Sequence, residues 1–200
     1  MLFRSPFDNL ELIRGSDVFY DLYDEPELIH DALDLITNTM IVFQESLPKL
    51  NDRAGTEGYY VHRAIYGGSA LLKLDTETAM LSEEMFEEFC APYNNRVLSA
   101  VGGGSIHFCG GGKVWPSRQM VRQNISCLNF GNPEMQDVLG DWRLTMEQKK
   151  ICVVGYGDGQ PYAFLKEKLD RGMCTGVTLL TKAESFEQAQ EILALHRSRT

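Results

Sequence analysis

Short apolar and β-branched runs alternate with longer helical patterns along most of this 200-residue chain. The clearest strand candidates are Ser69–Asp75, Ser105–Cys109, Ile125–Phe130, Ile151–Tyr156 and Gly176–Thr181. Nearly continuous apolar strands that are each followed by a helix are typical of a parallel sheet covered by helices. The alternation therefore predicts an α/β fold.

Helical spacing and capping residues predict the segments that connect these strands. An apolar stripe at spacings of three and four predicts a helix over Leu22–Leu47, with Asp24 as cap and Pro26 in its first turn. Ser82 predicts the start of a helix that runs to about Ala100 and bends at Pro92. Further helices are predicted over Val114–Gln123, after Asn132 and Pro133, over Pro161–Arg171, and from Ser185 to about His196.

The number of strand–helix units is smaller than a closed barrel requires. With Ser5–Ile13 as a further strand, the chain has about six βα units, whereas a (β/α)₈ barrel has eight and about 250 residues. No proline- or glycine-rich linker divides the chain, so residues 1–200 are predicted to form one domain. The strand edges of such an incomplete sheet favour a homo-oligomer.

Charge and composition exclude several classes of partner. The net charge of −9 argues against binding to nucleic acid and to anionic membrane surfaces. No apolar run approaches the roughly 20 residues of a membrane span, and Met1–Leu10 lacks the apolar core of a signal peptide. The five cysteines form no C-x-x-C pair, which favours reduced thiols and a cytoplasmic location.

The segment around His107 carries the most informative polar residues. Strand alternation places His107 and Cys109 on one face and Ile106 and Phe108 on the other. They fall at the carboxyl end of a strand, where parallel α/β proteins carry their reactive groups. Imidazole and thiolate are zinc ligands, and a catalytic zinc site has three protein ligands and an open position. The alternative is that Cys109 is only a small buried residue, as we expect for the other four cysteines.

Two further strand ends carry acidic side chains. Alternation puts Asp75 and Glu77 on the same strand face as Lys73, where they would serve as metal ligands, general acids or bases, or partners of a substrate cation. The alternative is a polar layer around Lys73 with no chemical role. Asp158 lies in a glycine-rich turn and would either contact a ligand or cap the helix that begins at Pro161.

An ordered series of motifs covers nearly the whole chain and resembles the uroporphyrinogen decarboxylase superfamily. The most extended is the run from Leu74 to Tyr93; the others are Ser5–Gly15, Ser105–Gly110, Leu128–Gly131 and Val153–Asp158. This superfamily includes the decarboxylase of haem synthesis and zinc-dependent methyltransferases that work with corrinoid proteins. The resemblance implies a TIM-like (β/α)₈ barrel from which the first two strands are absent.

The methyltransferase branch of this superfamily implies a zinc site with a corrinoid protein as partner. Its fifth-strand His-x-Cys ligands match His107 and Cys109, whereas Leu179–Lys182 has no cysteine at the place of the third ligand, and Glu77 is the nearest substitute. The zinc-bound substrate thiol would accept a methyl group from the corrinoid. The expected catalytic residues are Asp75, Thr76 and Glu77, and the expected substrate-binding residues are Asn129 and Asp158.

Two alternatives remain open. The first is uroporphyrinogen decarboxylation, which would make a tetrapyrrole the small-molecule substrate, with Thr76 at the position of the family's fourth-strand serine. The family's pyrrole-binding aspartate and arginines lie in an N-terminal region that has no counterpart in this chain. The second alternative is a non-catalytic module that associates through the open edges of its barrel.

Overall fold

The computed structural model describes residues 2–50, 58–61, 64–67, 70–110, 124–154 and 160–198. The described strands are, in chain order, β1 (Leu2–Arg4), β2 (Gly58–Val61), β3 (Ala64–Gly67), β4 (Ala70–Lys73), β5 (Gly104–Phe108), β6 (Ile125–Phe130), β7 (Ile151–Val154) and β8 (Val177–Leu179). Six of them form a parallel sheet in the order β1-β4-β5-β6-β7-β8. Strands β2 and β3 form an antiparallel hairpin, which the sequence did not predict.

Helices connect most of the strands of the parallel sheet. The described α-helices are α1 (Pro6–Arg14), α2 (Val18–Asp24), α3 (Pro26–Leu50), α4 (Asp75–Met80), α5 (Glu83–Phe89), α6 (Ala91–Ala100), α7 (Val138–Glu147), α8 (Tyr162–Asp170) and α9 (Phe186–Arg197). None of the helices within the described ranges is long and apolar enough to cross a bilayer. The predicted α/β class is confirmed, and β6 has the predicted bounds. The predicted helix over residues 114–123 lies outside the described residues.

The amino-terminal segment differs from its prediction. Ser5–Ile13 was expected to be a strand, but the strand is Leu2–Arg4 and the helix α1 follows it directly. The hydroxyl of Ser5 accepts a hydrogen bond from the Asp8 backbone N–H at 3.0 Å, and Pro6 occupies the first turn. A capping serine followed by proline is a helix-start signal that outweighs the apolar alternation of the segment.

The segment after β4 also differs from its prediction. Asp75 and Glu77 were expected to alternate on one strand face, but β4 ends at Lys73 and α4 begins at Asp75. The carboxylate of Asp8 accepts hydrogen bonds from the backbone N–H groups of Asp75 at 3.2 Å and Thr76 at 3.0 Å. This long-range cap satisfies two amides that would otherwise lack intrahelical partners.

Two helices predicted as continuous are each divided in two. The predicted Leu22–Leu47 helix consists of α2 and α3, which are separated at Glu25, with Pro26 as the first residue of α3. The predicted helix from Ser82 to Ala100 consists of α5 and α6, which are separated at Cys90, with Pro92 in the first turn of α6. Both prolines thus lie in the first turn of a new helix, where the missing backbone N–H costs nothing.

The apolar core of the described residues consists of two clusters. One cluster packs the sheet residues Leu72, Ile106 and Leu128 against Leu98 of α6. A second cluster joins α1, α2, α3 and α5, with Phe7, Leu33 and Phe86 among its wholly buried members. The central strands are therefore packed against helices, and this packing fixes the positions of their carboxyl ends.

Candidate metal centre

The register of the parallel strands brings polar residues together near their carboxyl ends. Lys73 of β4 is paired with His107 of β5, and His107 is paired with Asn129 of β6. Paired residues on neighbouring strands project to the same face of a sheet. A row of three polar side chains therefore crosses the sheet close to Asp75, the first residue of α4, and to Cys109, which directly follows β5.

Three potential metal donors, one of which is His107 from this row, lie close together at this end of the sheet. One ligand atom each from Asp75, His107 and Cys109 lies within 4.8 Å of the others. The Nε2 atom of His107 is 3.3 Å from the Cys109 Sγ and 4.0 Å from the Asp75 Oδ1. His107 is wholly buried, whereas Asp75 and Cys109 are partly exposed. Oxygen, nitrogen and sulfur donors of this kind suit zinc, and the exposed side leaves access for another ligand.

Neighbouring groups hold each of these donors in place. Asn129 Oδ1 forms a hydrogen bond with His107 Nδ1. The ammonium of Lys73 lies 2.9 Å from Asp75 Oδ2, while Asp75 Oδ1 accepts the backbone N–H of Cys109 at 3.1 Å. The segment from β4 into α4 and the end of β5 are thus directly connected at the site.

Gly131 makes room for the two donors from β5. A Cβ atom at this position would lie 2.5 Å from Cys109 Sγ and 3.2 Å from His107 Cε1. The Gly131 backbone N–H donates to the Phe108 carbonyl at 2.8 Å, which keeps the end of β6 close to β5. Any side chain at Gly131 would have to displace Cys109, because the contact is far shorter than van der Waals distance.

The electrostatic surroundings keep the Cys109 thiol protonated in the absence of a cation. Burial raises the pKa of Cys109, and the negative charge of Asp75 adds to this effect, while Lys73 opposes it. A bound divalent cation would reverse this balance, because coordination deprotonates a thiol. The donors are therefore chemically suited to a metal, although the thiol by itself is not activated.

Glu77 belongs to a separate buried cluster on the other side of the start of α4. It is wholly buried, and the side-chain amide of Asn94 donates to its two oxygens at 3.3 and 3.2 Å. Burial, with the added charge of Asp8, raises the pKa of Glu77 to about 8, and burial raises that of Asp8 to about 6. A glutamic acid that is neutral at pH 7 is a poor metal ligand. The carboxylate that lies close to His107 and Cys109 is that of Asp75, and not that of Glu77.

The structure accounts differently for the other residues singled out from the sequence. Thr76 directs its backbone N–H at Asp8, and Asn129 is wholly buried against His107. Asp158 lies outside the described residues. Among the other cysteines, Cys90 and Cys127 are buried, and burial raises the pKa of Cys127 to about 12. Both fit the expected structural role.

Asp8 and Asn94 were not identified from the sequence as residues near the site. Asp8 reaches α4 across 67 residues of chain, so no local spacing indicates this contact. An acidic residue in the first turn of a helix is ordinarily explained by the helix dipole alone. The one available signal was its position three residues after the capping Ser5, which places it at the carboxyl end of β1.

The parallel sheet and the convergent donors at its carboxyl edge define an α/β protein with a candidate metal centre. Comparison with models of known protein families matches residues 57–168 to uroporphyrinogen decarboxylase (URO-D). Because this match covers more than half of the chain, the chain belongs to the URO-D family. No curated protein matches the chain.

Proposed function

We propose that the chain is a zinc-dependent methyltransferase of the corrinoid-linked type within the URO-D family. The observation that carries this proposal is the convergence of Asp75, His107 and Cys109 within 4.8 Å. Decarboxylation of a pyrrole acetate has no need of a thiol and an imidazole in contact with each other. A metal centre would use both together with a carboxylate, and Asp75 is one of the two carboxylates that the sequence offered as candidate metal ligands.

The proposed ligands are the Asp75 Oδ1, the His107 Nε2 and the Cys109 Sγ atoms. Lys73 holds the other carboxylate oxygen of Asp75 at 2.9 Å, which favours binding of the metal through a single oxygen. When bound, zinc supplies the positive charge that lowers the pKa of a substrate thiol and keeps it as the nucleophilic thiolate. The partly exposed side of the site, next to Asp75 and Cys109, is where that thiol would enter.

The proposed reaction transfers a methyl group from a corrinoid on a partner protein to the substrate sulfur. In such a transfer a sulfur–carbon bond would form as the cobalt–carbon bond breaks, with the electron pair of the broken bond left on cobalt. The thiol proton leaves to solvent when the thiol binds. The chain's own residues hold the acceptor in place, so they act mainly by orientation and charge.

We also propose that the six-stranded parallel sheet is part of a TIM-like barrel and that residues 1–200 belong to one domain. Within the described residues, β1 pairs only with β4 and β8 only with β7. These two edges are where a closed barrel would continue. If the open edges drive association, the protein will be oligomeric. A monodisperse monomer in analytical ultracentrifugation would contradict association through these edges.

Zinc titration tests the proposed metal centre. The purified protein, kept reduced, is titrated with zinc in competition with a chromophoric chelator, beside Cys109→Ala and Cys174→Ala. Cys174 is the matched control, because it is also a partly buried free cysteine. We expect one equivalent of tightly bound zinc in the parent protein and in Cys174→Ala, and its loss in Cys109→Ala. Unchanged zinc binding by Cys109→Ala would overturn the proposal.

Uroporphyrinogen decarboxylation is the second candidate, since the family model bears the name of that enzyme. The assay incubates the protein with uroporphyrinogen in the presence of a zinc chelator and measures coproporphyrinogen. Product formed equally by the parent protein and by Cys109→Ala would favour the decarboxylase. Absence of product, together with one bound zinc, would favour the methyltransferase.

A further inference from the structure

Asn129 is a wholly buried amide directly beside a proposed metal ligand. It lies on β6, in register with His107 on β5, and its Oδ1 atom forms a hydrogen bond with His107 Nδ1. A buried polar side chain at this place costs free energy unless its hydrogen bonds are made. The Oδ1 atom of Asn129 meets this requirement through the His107 imidazole.

This hydrogen bond determines which ring nitrogen of His107 carries the proton. A carboxamide oxygen only accepts, so the hydrogen must be on Nδ1. In the neutral imidazole the lone pair is then on Nε2, the atom that lies 3.3 Å from Cys109 Sγ and 4.0 Å from Asp75 Oδ1. The tautomer that Asn129 selects is the one that presents a donor to the other two ligands.

The same strand end also controls the space that both β5 donors occupy. Gly131, two residues after Asn129, leaves room for Cys109 Sγ and for the His107 ring, which a Cβ atom would meet at 2.5 and 3.2 Å. Asn129 of β6 and Gly131, which directly follows β6, thus fix the protonated nitrogen of one donor and the position of the other. This arrangement is typical of residues that contact metal ligands and fix their protonation and orientation without binding the metal themselves.

We propose that Asn129 is a positioning residue of the metal centre, which fixes the tautomer and ring orientation of His107. The sequence instead placed Asn129 among the substrate-binding residues, and the proposal replaces that role. It rests on the proposed function, because it assumes that His107 Nε2 is a metal ligand. Asn129 is expected to change the affinity of the site for metal, and any change in substrate binding follows from that.

The first test measures zinc affinity in three variants. Asn129→Leu removes the acceptor at similar volume, Asn129→Asp keeps an acceptor, and Asn124→Leu is the control just before the other end of β6. We expect zinc affinity to fall about 10–100-fold in Asn129→Leu, as is usual when such a partner is lost. Asn129→Asp should bind at least as tightly as the parent protein, and Asn124→Leu should be unchanged. Equal zinc affinity of Asn129→Leu and of the parent protein would overturn the proposal.

The second test needs no variant and remains valid if Asn129→Leu fails to fold. The ¹⁵N chemical shifts of His107 in the metal-free protein distinguish a protonated nitrogen from one with a lone pair. We expect a proton on Nδ1 and a lone pair on Nε2. A proton on Nε2 would overturn the positioning role. A parent protein that shows the expected tautomer but binds no zinc would overturn the proposed function and leave the Asn129–His107 hydrogen bond established.

Discussion

Two helices, α6 between the inner strands β4 and β5 and α9 after the edge strand β8, show how unevenly the sheet is covered. Helix α6 buries Ala91, Tyr93, Asn94, Val97 and Leu98. Helix α9 is slightly longer and has an apolar side that includes Leu193, but it has no buried residue. Leu98 is 0% exposed and Leu193 is 52% exposed. The adjacent strands differ in the same way, since β5 is buried throughout and β8 is only partly buried.

The difference shows which part of the chain is able to hold a site with fixed geometry. Asp75, His107 and Asn129 come from the covered region around β4, β5 and β6. Ligand positions must be held to within a fraction of an ångström, and only packed elements provide that support. The β8–α9 end lacks this support, because no side chain of α9 is buried.

Matched leucine truncations provide the largest expected contrast between the two regions. Leu98→Ala removes a wholly buried side chain from the core and should lower the free energy of unfolding by about 2–5 kcal/mol. Leu193→Ala removes a half-exposed one and should cost less than about 1 kcal/mol. Denaturant-induced unfolding followed by circular dichroism measures both. Equal losses would show that α9 is as well packed as α6.

The buried carboxyl of Glu77 should make stability depend on pH. Burial raises its pKa from 4.5 to about 8, so the folded protein keeps this proton over a range in which the unfolded chain has released it. Stability should therefore fall as pH rises from about 4.5 to about 8, by at most about 1.4 kcal/mol per pH unit for this one proton. Glu77→Gln should reduce that slope in the metal-free protein.

The matched control for this pH dependence is Glu187→Gln in α9. The pKa of Glu187 is lowered by its hydrogen bonds at the helix start, and the residue is exposed. Its contribution to stability is therefore present above its unfolded pKa and is lost as pH falls through its folded pKa. The substitution should leave the slope between about pH 4.5 and 8 unchanged. A Glu77→Gln slope equal to that of the parent protein would show that Glu77 is ionised in the fold.

Two capping serines give the smallest expected contrast. Ser5 and Ser185 each accept a backbone hydrogen bond from the residue three positions later, at 3.0 and 3.1 Å. Ser5→Ala should cost about 1 kcal/mol, because Ser5 is wholly buried at the start of a packed helix. Ser185→Ala should change global stability by a few tenths of a kcal/mol, since α9 is able to fray locally. Thermal unfolding of both variants measures this, and a larger loss for Ser185→Ala would contradict the contrast.

Local sequence signals predicted much of the sheet and offered all three donors as candidates, although Asp75 was expected on a strand. The apolar run Ile125–Phe130 is long enough to be recognised as a buried strand by itself. Strand alternation correctly placed His107 and Cys109 on one face, where Nε2 and Sγ are now 3.3 Å apart. These features depend on the alternation of residues along a single strand, which can be recognised from the sequence alone.

The third donor depends on contacts that no local pattern contains. Asp75 was placed on a strand with Glu77, but Asp8 from the first turn of α1 accepts the Asp75 backbone N–H, and the helix α4 begins at Asp75. That turn separates Asp75, which reaches the site, from Glu77, which is buried beside Asn94. Tertiary hydrogen bonding overrode the strand propensity, and it thereby changed which carboxylate completes the proposed centre.

X-ray absorption at the zinc edge of the zinc-loaded protein tests the proposed metal centre most directly. We predict one sulfur neighbour at about 2.3 Å and at least two nitrogen or oxygen neighbours at about 2.0–2.1 Å. The sulfur shell should persist in Cys174→Ala. Zinc coordinated without sulfur in the parent protein, or with the same sulfur shell in Cys109→Ala, would contradict a centre formed by Asp75, His107 and Cys109.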